Sequence, residues 1–191
     1  IGEECFYLIS NDGYNVTLFA KYNLLVGNKY DDVNGAVPLE DPSGIQDSRA
    51  VGWFPGYSEE NPVIGGKPFS STNYWSSTVS TYPAYVYNSN SYLYEYVENY
   101  KVYLENLDII ITEARLISFE ELIELGCSIL TSYCTDAPEW VHSTSYWTGT
   151  ANNSTNLWRV YRSTNGGFAD NLYSYENRGV RPVIEVPLTE F

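Results

Sequence analysis

Strand patterns occupy both ends of this chain, and two helix patterns lie between them. Residues 5–24 read as two strands joined by a turn at Asn11–Gly13, where Asp-Gly supplies a positive φ at little cost. Near the other end, "LWRVYR" alternates in polarity and "GVRPVIEV" is a compact apolar strand. This order predicts an α+β fold with two helices, a mainly antiparallel twisted sheet and long loops.

The first helix is predicted within residues 88–109, with Ser91 or Asn90 as its cap. Its apolar residues recur at steps of three and four and should share one face: Leu93, Val97, Tyr100, Leu104 and Leu107. The second helix is predicted in "SFEELIELGC", where Ser118 and Glu121 form a capping box and Gly126 ends the helix. Residues 27–68 are rich in Gly, Pro, Asp and Asn, which favours a long loop with a short element near residues 45–51.

Charge excludes several classes of function. The net charge is −14, and 19 of the 24 acidic residues precede Ala137. We therefore expect no nucleic-acid partner and no attraction to an anionic membrane surface. No stretch of about 18 apolar residues occurs, so direct membrane insertion by this chain is not expected.

Residues 145–186 combine the most loop-like composition of the chain with its most strand-like one. Tyr, Ser, Asn and Gly supply 18 of the 35 residues from Ser143 to Asn177. Binding surfaces of antibodies share this composition, because Tyr gives a large contact area at low entropic cost and Ser, Asn and Gly give adaptable hydrogen bonds. An ordinary polar sheet face with loops is the alternative.

Alternation along the strands divides the C-terminal third into two predicted sets. The predicted core consists of Trp147, Trp158, Val160, Phe168, Val180 and Ile184. The predicted ligand-binding residues, expected to be clustered and to face solvent, are Asn152, Asn153, Asn156, Arg159, Tyr161, Asn165, Asp170, Asn171, Tyr173, Tyr175 and Asn177.

Cysteine and histidine usage limits the other kinds of site. Cys127 and Cys134 have a spacing that suits a short-loop disulfide, with two thiols as the alternative, and Cys5 is expected to be a buried thiol. A metal site would need more ligands than the single histidine, His142, and these cysteines supply, so we expect no metal and no cofactor.

Several blocks of the sequence carry a family resemblance. "EARLISFEELIELGC" followed by "GVRPVIEV" resembles the formylglycine-generating-enzyme branch of the C-type lectin fold. A group of bacterial surface domains with that fold has blocks similar to "LFAKYNLLVG", "GIQDS", "FSSTNYWS", "STSYWTGTA" and the segment around the first predicted helix. The blocks are spread over most of the chain, so the resemblance implies a single C-type lectin-like domain over residues 1–191.

The resemblance also implies a location and a use. Such domains often follow a pilin-like N-terminal helix, which implies extracellular display on a bacterial or phage protein through an anchor upstream of Ile1. The fold also serves as the variable protein of diversity-generating retroelements, which rewrite codons near the C-terminus. Residues 145–178 look like such a hypervariable segment, whose ligand would be a protein or glycan on another cell or host surface.

Two alternatives remain. One is a structural pilin-like or surface subunit without a specific ligand. The other is an enzyme of the formylglycine-generating-like branch, which we do not expect, because its copper centre needs a late cysteine pair and the last cysteine here is Cys134. No Gly-x-Ser-x-Gly motif surrounds any serine, and the motifs of calcium-dependent sugar binding are absent.

Overall fold

A computed structural model describes residues 5–21, 23–24, 29–31, 35–37, 75, 78–91, 93–161, 163–172 and 179–191. The α-helices in this part of the chain are α1 (Tyr94–Glu105) and α2 (Phe119–Glu124). The strands are β1 (Phe6–Asn11), β2 (Asn15–Ala20), β3 (Lys29–Asp31), β4 (Gly35–Val37), β5 (Ala84–Tyr85), β6 (Glu113–Leu116), β7 (Tyr146–Ala151), β8 (Asn156–Tyr161), β9 (Gly167–Leu172) and β10 (Pro182–Pro187). The predicted α+β class with two helices is confirmed.

The strands form two four-stranded sheets and one hairpin instead of the single predicted sheet. The N-terminal sheet has the order β1-β2-β10-β6, and the C-terminal sheet has the order β5-β7-β8-β9. All strand pairs within them are antiparallel. The division arises because β10 returns to pair with β2 and β6, while β7, β8 and β9 pair among themselves. A parallel bridge between Tyr146 and Gly179 links the two regions.

The predicted turn between β1 and β2 is present. Gly13 has a φ of 89°, and the Asp12 carboxylate accepts hydrogen bonds from the N–H groups of Tyr14 and Asn15. These bonds lower the pKa of Asp12. The β3–β4 hairpin lies inside the segment predicted as loop, and the element predicted near residues 45–51 lies outside the described residues.

The helix predictions hold in part. Ser118 and Glu121 form the expected capping box of α2, and Gly126 follows that helix with a φ of 106°. Helix α1 starts later than its predicted cap, so Ser91 accepts a hydrogen bond from the N–H of Leu93 ahead of the helix instead of capping it. Leu107 was predicted on the buried face but is 43% exposed, because α1 ends at Glu105.

Two apolar clusters fill the interior. The first contains Val97 and Leu104 of α1, Ile184 of β10, and Trp147 of β7. The second packs Phe19, Val183, Val160 and Phe168 against Leu122 of α2. Each sheet contributes to both clusters, which fixes the C-terminal sheet firmly on the rest of the described fold.

Cys5 corrects one prediction. It lies outside the disulfide but is exposed instead of buried, because it stands at the open start of the edge strand β1. Among the described residues, neither helix has the length and apolarity needed to cross a membrane.

Candidate ligand-binding face

A rigid apolar frame supports the C-terminal sheet. Trp147, Val160, Phe168, Val180 and Ile184 are all completely buried, as predicted. Trp158 is only partly buried, but its ring packs at a tilted angle against those of Phe119 and Phe168, with centroid distances of 4.9 Å to each. Aromatic packing of this kind adds to the stabilisation from burial alone and holds β8 in place.

The strand register separates the predicted binding residues onto two sides of the sheet. Arg159 pairs with Ala169 and Tyr161 with Gly167, so these residues share one side. Asp170 pairs with Trp158 and therefore lies on the other side. Because successive residues of a strand point to opposite faces, the described members of the predicted set are distributed over both sides of the sheet.

Three of the predicted residues bind one another. The Asp170 carboxylate accepts hydrogen bonds from the side-chain amides of Asn152 (3.0 Å) and Asn156 (2.7 Å), and all three residues are half-buried. The backbone N–H of Asn152 also donates to the Asn156 carbonyl. We call this group the Asn–Asp cluster. Its side chains hold the turn between β7 and β8 and are not presented singly to solvent.

Asn153 stabilises the same turn. Its side-chain oxygen accepts from the N–H groups of Thr155 and Asn156, which is the usual way an asparagine closes a turn. The indole N–H of Trp75 donates to the Asn153 carbonyl at 2.9 Å. Asn153 is half-buried, and the hydrogen bonds of its side chain stabilise the turn.

Arg159 and Tyr161 form the pair most suited to contact a ligand. The Arg159 guanidinium lies 5.0 Å from the centroid of the Tyr161 ring, within the range of a cation–π contact. Both side chains are half-buried. Burial lowers the pKa of Arg159, although the nearby Tyr161 and Asp170 oppose that shift. The pair offers a charged group and an aromatic face that are already oriented.

The Tyr161 ring requires a glycine beneath it. A Cβ atom added to Gly167 would lie 1.8 Å from the ring, so no other residue fits under the ring in this position. Such an aromatic ring shields the exposed backbone of a strand glycine. Tyr161 therefore has a packing role as well as an accessible edge.

The remaining predicted residues fall in three places. Asn165 is exposed in the turn between β8 and β9. Asn171 pairs with Leu157 in the strand register. Tyr173, Tyr175 and Asn177 lie outside the described residues.

A loop closed by a disulfide packs against the β8–β9 turn. Cys127 and Cys134 are joined by a disulfide. The N–H of Cys134 donates to the Gly166 carbonyl at 2.7 Å, and the N–H of Phe168 donates to the Ser132 carbonyl at 2.9 Å. The loop therefore acts as an additional edge to β9 and holds the β8–β9 turn.

Arg181 is a structural residue that the sequence patterns did not reveal. It is completely buried, and it donates to the carbonyls of Ala20 (2.7 Å) and Trp140 (2.8 Å). Its guanidinium also lies 4.1 Å from the centroid of the Phe19 ring. Burial lowers the pKa of Arg181 to about 10. The only signal in the sequence was a charged residue inside the apolar "GVRPVIEV" strand.

His142, the single histidine of the chain, packs against the β8–β9 turn. His142 is half-buried against Gly166, where an added Cβ would lie 2.3 Å from the imidazole ring. The hydroxyl of its neighbour Ser143 donates to the Trp140 carbonyl at 3.1 Å. Within the described ranges, no group of three or more His, Cys, Asp or Glu side chains is placed to hold a metal ion.

Comparison with protein-family models, with curated proteins and with solved structures found no significant match to this chain.

Proposed function

We propose that this chain is an extracellular ligand-binding display domain of the C-type lectin fold. In this proposal the domain is the variable protein of a diversity-generating retroelement. Its C-terminal strands present a variable surface that is rich in Tyr, Asn and Ser. The domain carries out no catalysis. Its ligand is a protein or glycan on another cell or host surface, and its anchor lies upstream of Ile1.

The separation of buried and half-exposed side chains along β8 is the observation that best supports this proposal. Leu157 and Val160 are completely buried, one in each apolar cluster. The other four residues of the strand remain half-exposed, and Arg159 and Tyr161 are among them. A strand built in this way keeps its position through two buried side chains and leaves Arg159 and Tyr161 available for contact and for change.

Rigidity of the surrounding frame also supports the proposal. Binding surfaces gain affinity when their side chains are ordered before the ligand arrives, because less entropy is lost on binding. The Trp158–Phe168 ring contact, the disulfide loop and the Asn–Asp cluster each restrain β8 or β9.

The diversification claim is tested by the DNA around the gene. The proposal expects a reverse-transcriptase gene nearby and a near-copy of the segment that encodes residues 145–186, differing mainly at adenines. Substitutions between the two copies should fall on half-exposed positions such as Arg159 and Tyr161 and should spare Leu157 and Val160. A complete genome that lacks both features would overturn the diversification claim.

The binding claim needs a separate experiment. Intact bacterial and host cells and a glycan array are probed with the labelled domain and with an Arg159→Ala/Tyr161→Ala double variant, with Glu124→Ala, at an exposed position of α2, as the surface control. Binding that the double variant loses and Glu124→Ala keeps supports the proposal. Equal signals from all three proteins would contradict it.

One observation favours the alternative of a structural surface subunit. The polar side chains of the Asn–Asp cluster are used to bind one another, as in a sheet that only needs a stable turn. On this alternative, purified domain attached to its upstream segment assembles into filaments or surface layers. Replacement of Arg159 and Tyr161 then leaves assembly and all cell binding unchanged.

A further inference from the structure

A tyrosine-walled pocket lies away from the ligand-binding face. It is a cavity of about 250 Å³ between α1, the segment after β5, and the edge strand β6. Its lining includes the rings of Tyr85, Tyr87 and Tyr94, the acids Glu98 and Glu113, and the cations Lys101 and Arg115. We call it the tyrosine pocket.

Local structure explains why these side chains converge. Tyr94, Glu98 and Lys101 follow one another at steps of four and three, so they share one side of α1. Tyr85 and Tyr87 flank Val86, which is buried in the first apolar cluster. Since side chains alternate along extended chain, burying Val86 turns both tyrosines to the opposite side.

The aromatic walls are held in place. The Tyr85 hydroxyl donates to the Leu116 carbonyl at 2.9 Å, and an added Cβ at Gly149 would lie 2.3 Å from the Tyr85 ring. The ring centroids of Tyr85 and Tyr87 are 6.5 Å apart at an interplanar angle of 66°, and those of Tyr87 and Tyr94 are 6.1 Å apart. These rings form neighbouring walls inclined to one another and anchored by a glycine and a hydrogen bond.

The Tyr87 hydroxyl lacks a hydrogen-bond partner. Its oxygen is buried and makes no hydrogen bond within the described part of the chain. Leaving a buried hydroxyl unsatisfied costs free energy, so a ligand that reached this oxygen would be stabilised by the new hydrogen bond. Burial raises the pKa of Tyr87, so the phenol stays neutral at physiological pH and can accept or donate a hydrogen bond.

The charges around the pocket favour a cation. Arg115 is surrounded by three carboxylates, with contacts of 2.7 Å to Glu121, 3.3 Å to Glu185 and 3.3 Å to Glu113. All three acids share the single charge of Arg115, and of the three only Glu113 lines the pocket. On the helix side, Lys101 lies 3.9 Å from Glu105, whereas Glu98 has no cationic partner in the ranges that the structure describes.

We propose that the tyrosine pocket binds a small organic ammonium ion, with the rings of Tyr85, Tyr87 and Tyr94 around the cation and Glu98 as its counter-ion. The negative faces of aromatic rings attract ammonium groups, and rings beside a carboxylate are a recurring way of binding them. A cavity of about 250 Å³ is large enough to hold a small alkylammonium. This site is independent of the proposed display function.

Calorimetry with choline and putrescine tests the proposal, with sodium chloride at matched ionic strength as the blank. The uncharged isostere 3,3-dimethylbutanol replaces the ammonium of choline by carbon without changing its shape. We expect saturable binding of at least one of the two ammonium probes and, if choline binds, about tenfold weaker binding of its isostere. Failure of both ammonium probes, or equal affinity for choline and the isostere, would overturn the proposal.

Variants locate the site. Glu98→Gln and Tyr94→Leu should each weaken binding of whichever ammonium probe binds by about fivefold or more, and Tyr87→Phe should weaken it while preserving the ring. Glu124→Gln and Tyr14→Phe are the matched controls, because both lie outside the pocket and are exposed. Thermal denaturation verifies that each variant is folded. Unchanged binding in Glu98→Gln and Tyr94→Leu would place the cation elsewhere and contradict the assignment.

Discussion

Strands β10 and β8 occupy equivalent positions but use their side chains differently. Each has six residues and is flanked on both sides by antiparallel partners. Four residues of β10 are buried, whereas only Leu157 and Val160 of β8 are. A central position in a sheet therefore does not decide how many side chains are committed to packing.

The difference follows from what covers each strand. Ile184 and Val186 of β10 face the first apolar cluster and Val183 faces the second, so both of its faces are filled. Strand β8 contributes one fully buried residue to each cluster, and its remaining side chains lie at half-exposed positions. Leu157 and Val160 hold the register of β8. A display strand must keep this register while residues such as Arg159 and Tyr161 change.

Truncating the anchors should have the largest effect. Leu157→Ala in β8 and Ile184→Ala in β10 should each lower the free energy of unfolding by about 2–5 kcal/mol, because both leave cavities in the same apolar cluster. Chemical denaturation measures both values. A cost below about 1 kcal/mol for Leu157→Ala would break the comparison, because β8 would then lack its anchor.

Removing the disulfide should destabilise the C-terminal sheet at the β8–β9 turn. The Cys127→Ser/Cys134→Ser variant should lose about 2–3 kcal/mol, because the loop it closes is short. In this variant, amide hydrogen exchange should accelerate at position 134 and at Phe168, whose N–H groups bond the loop to the β8–β9 hairpin. Exchange should change little in β10. Mass spectrometry of the unreduced wild-type chain should show one bridge, with Cys5 as the only alkylatable residue. Three alkylatable thiols would contradict this assignment.

The Asn–Asp cluster should have an intermediate effect. Asp170→Ala should cost about 1–2 kcal/mol, because the amides of Asn152 and Asn156 lose a charged acceptor but can still reach water. Asn165→Ala, at the exposed turn, should stay within about 0.5 kcal/mol of wild type. Thermal denaturation of the two variants separates the structural polar residues of the face from the freely replaceable ones. Equal losses of unfolding free energy in the two variants would show that the Asn–Asp cluster does not stabilise the fold.

The smallest expected effect concerns pH and Glu121 of α2. Glu185 and Glu121 both contact Arg115. Burial alone would raise the pKa of Glu121, but the hydrogen bonds and charge of Arg115 and the Ser118 N–H lower it below its ordinary value of 4.5. The resulting stabilisation is complete above that value and is lost as pH falls through the lower pKa of the folded state.

Thermal unfolding of wild type and Glu121→Gln between about pH 7 and about pH 3 measures this contribution. The difference in Tm should be largest at neutral pH and should shrink in acid. Glu124→Gln, an exposed position on the same helix, serves as control. A difference that is independent of pH would mean that the Arg115 contact does not stabilise the folded state.

Local patterns in the sequence predicted the elements better than their assembly. The Ser118–Glu121 capping box and the Asn11–Gly13 turn depend on neighbouring residues, and both are present as predicted. Five of the six predicted core residues, Phe168 among them, are fully buried, whereas Trp158 is only partly buried. The division into two sheets depends on the long-range pairing of β10 with β2, which no local pattern encodes.

The candidate site shows the same limit. Alternation predicted correctly that Arg159 and Tyr161 share a side of β8, but the side of Asp170 depends on the register with β9. The tyrosine pocket could have been suspected from Tyr94, Glu98 and Lys101 at helical spacing. Its other wall comes from Tyr85 and Tyr87 on a different element, and only the tertiary structure brings the two together.

Pairwise randomisation within β8 tests the central claim most directly. One library varies Arg159 and Tyr161, the other varies Leu157 and Val160, and the fraction of folded members is counted in each by protease resistance on a display host. Our account predicts that most members of the first library remain folded, whereas nearly all members of the second unfold unless both positions stay apolar. Equal folded fractions in the two libraries would contradict the division of β8 into anchoring and displayed residues.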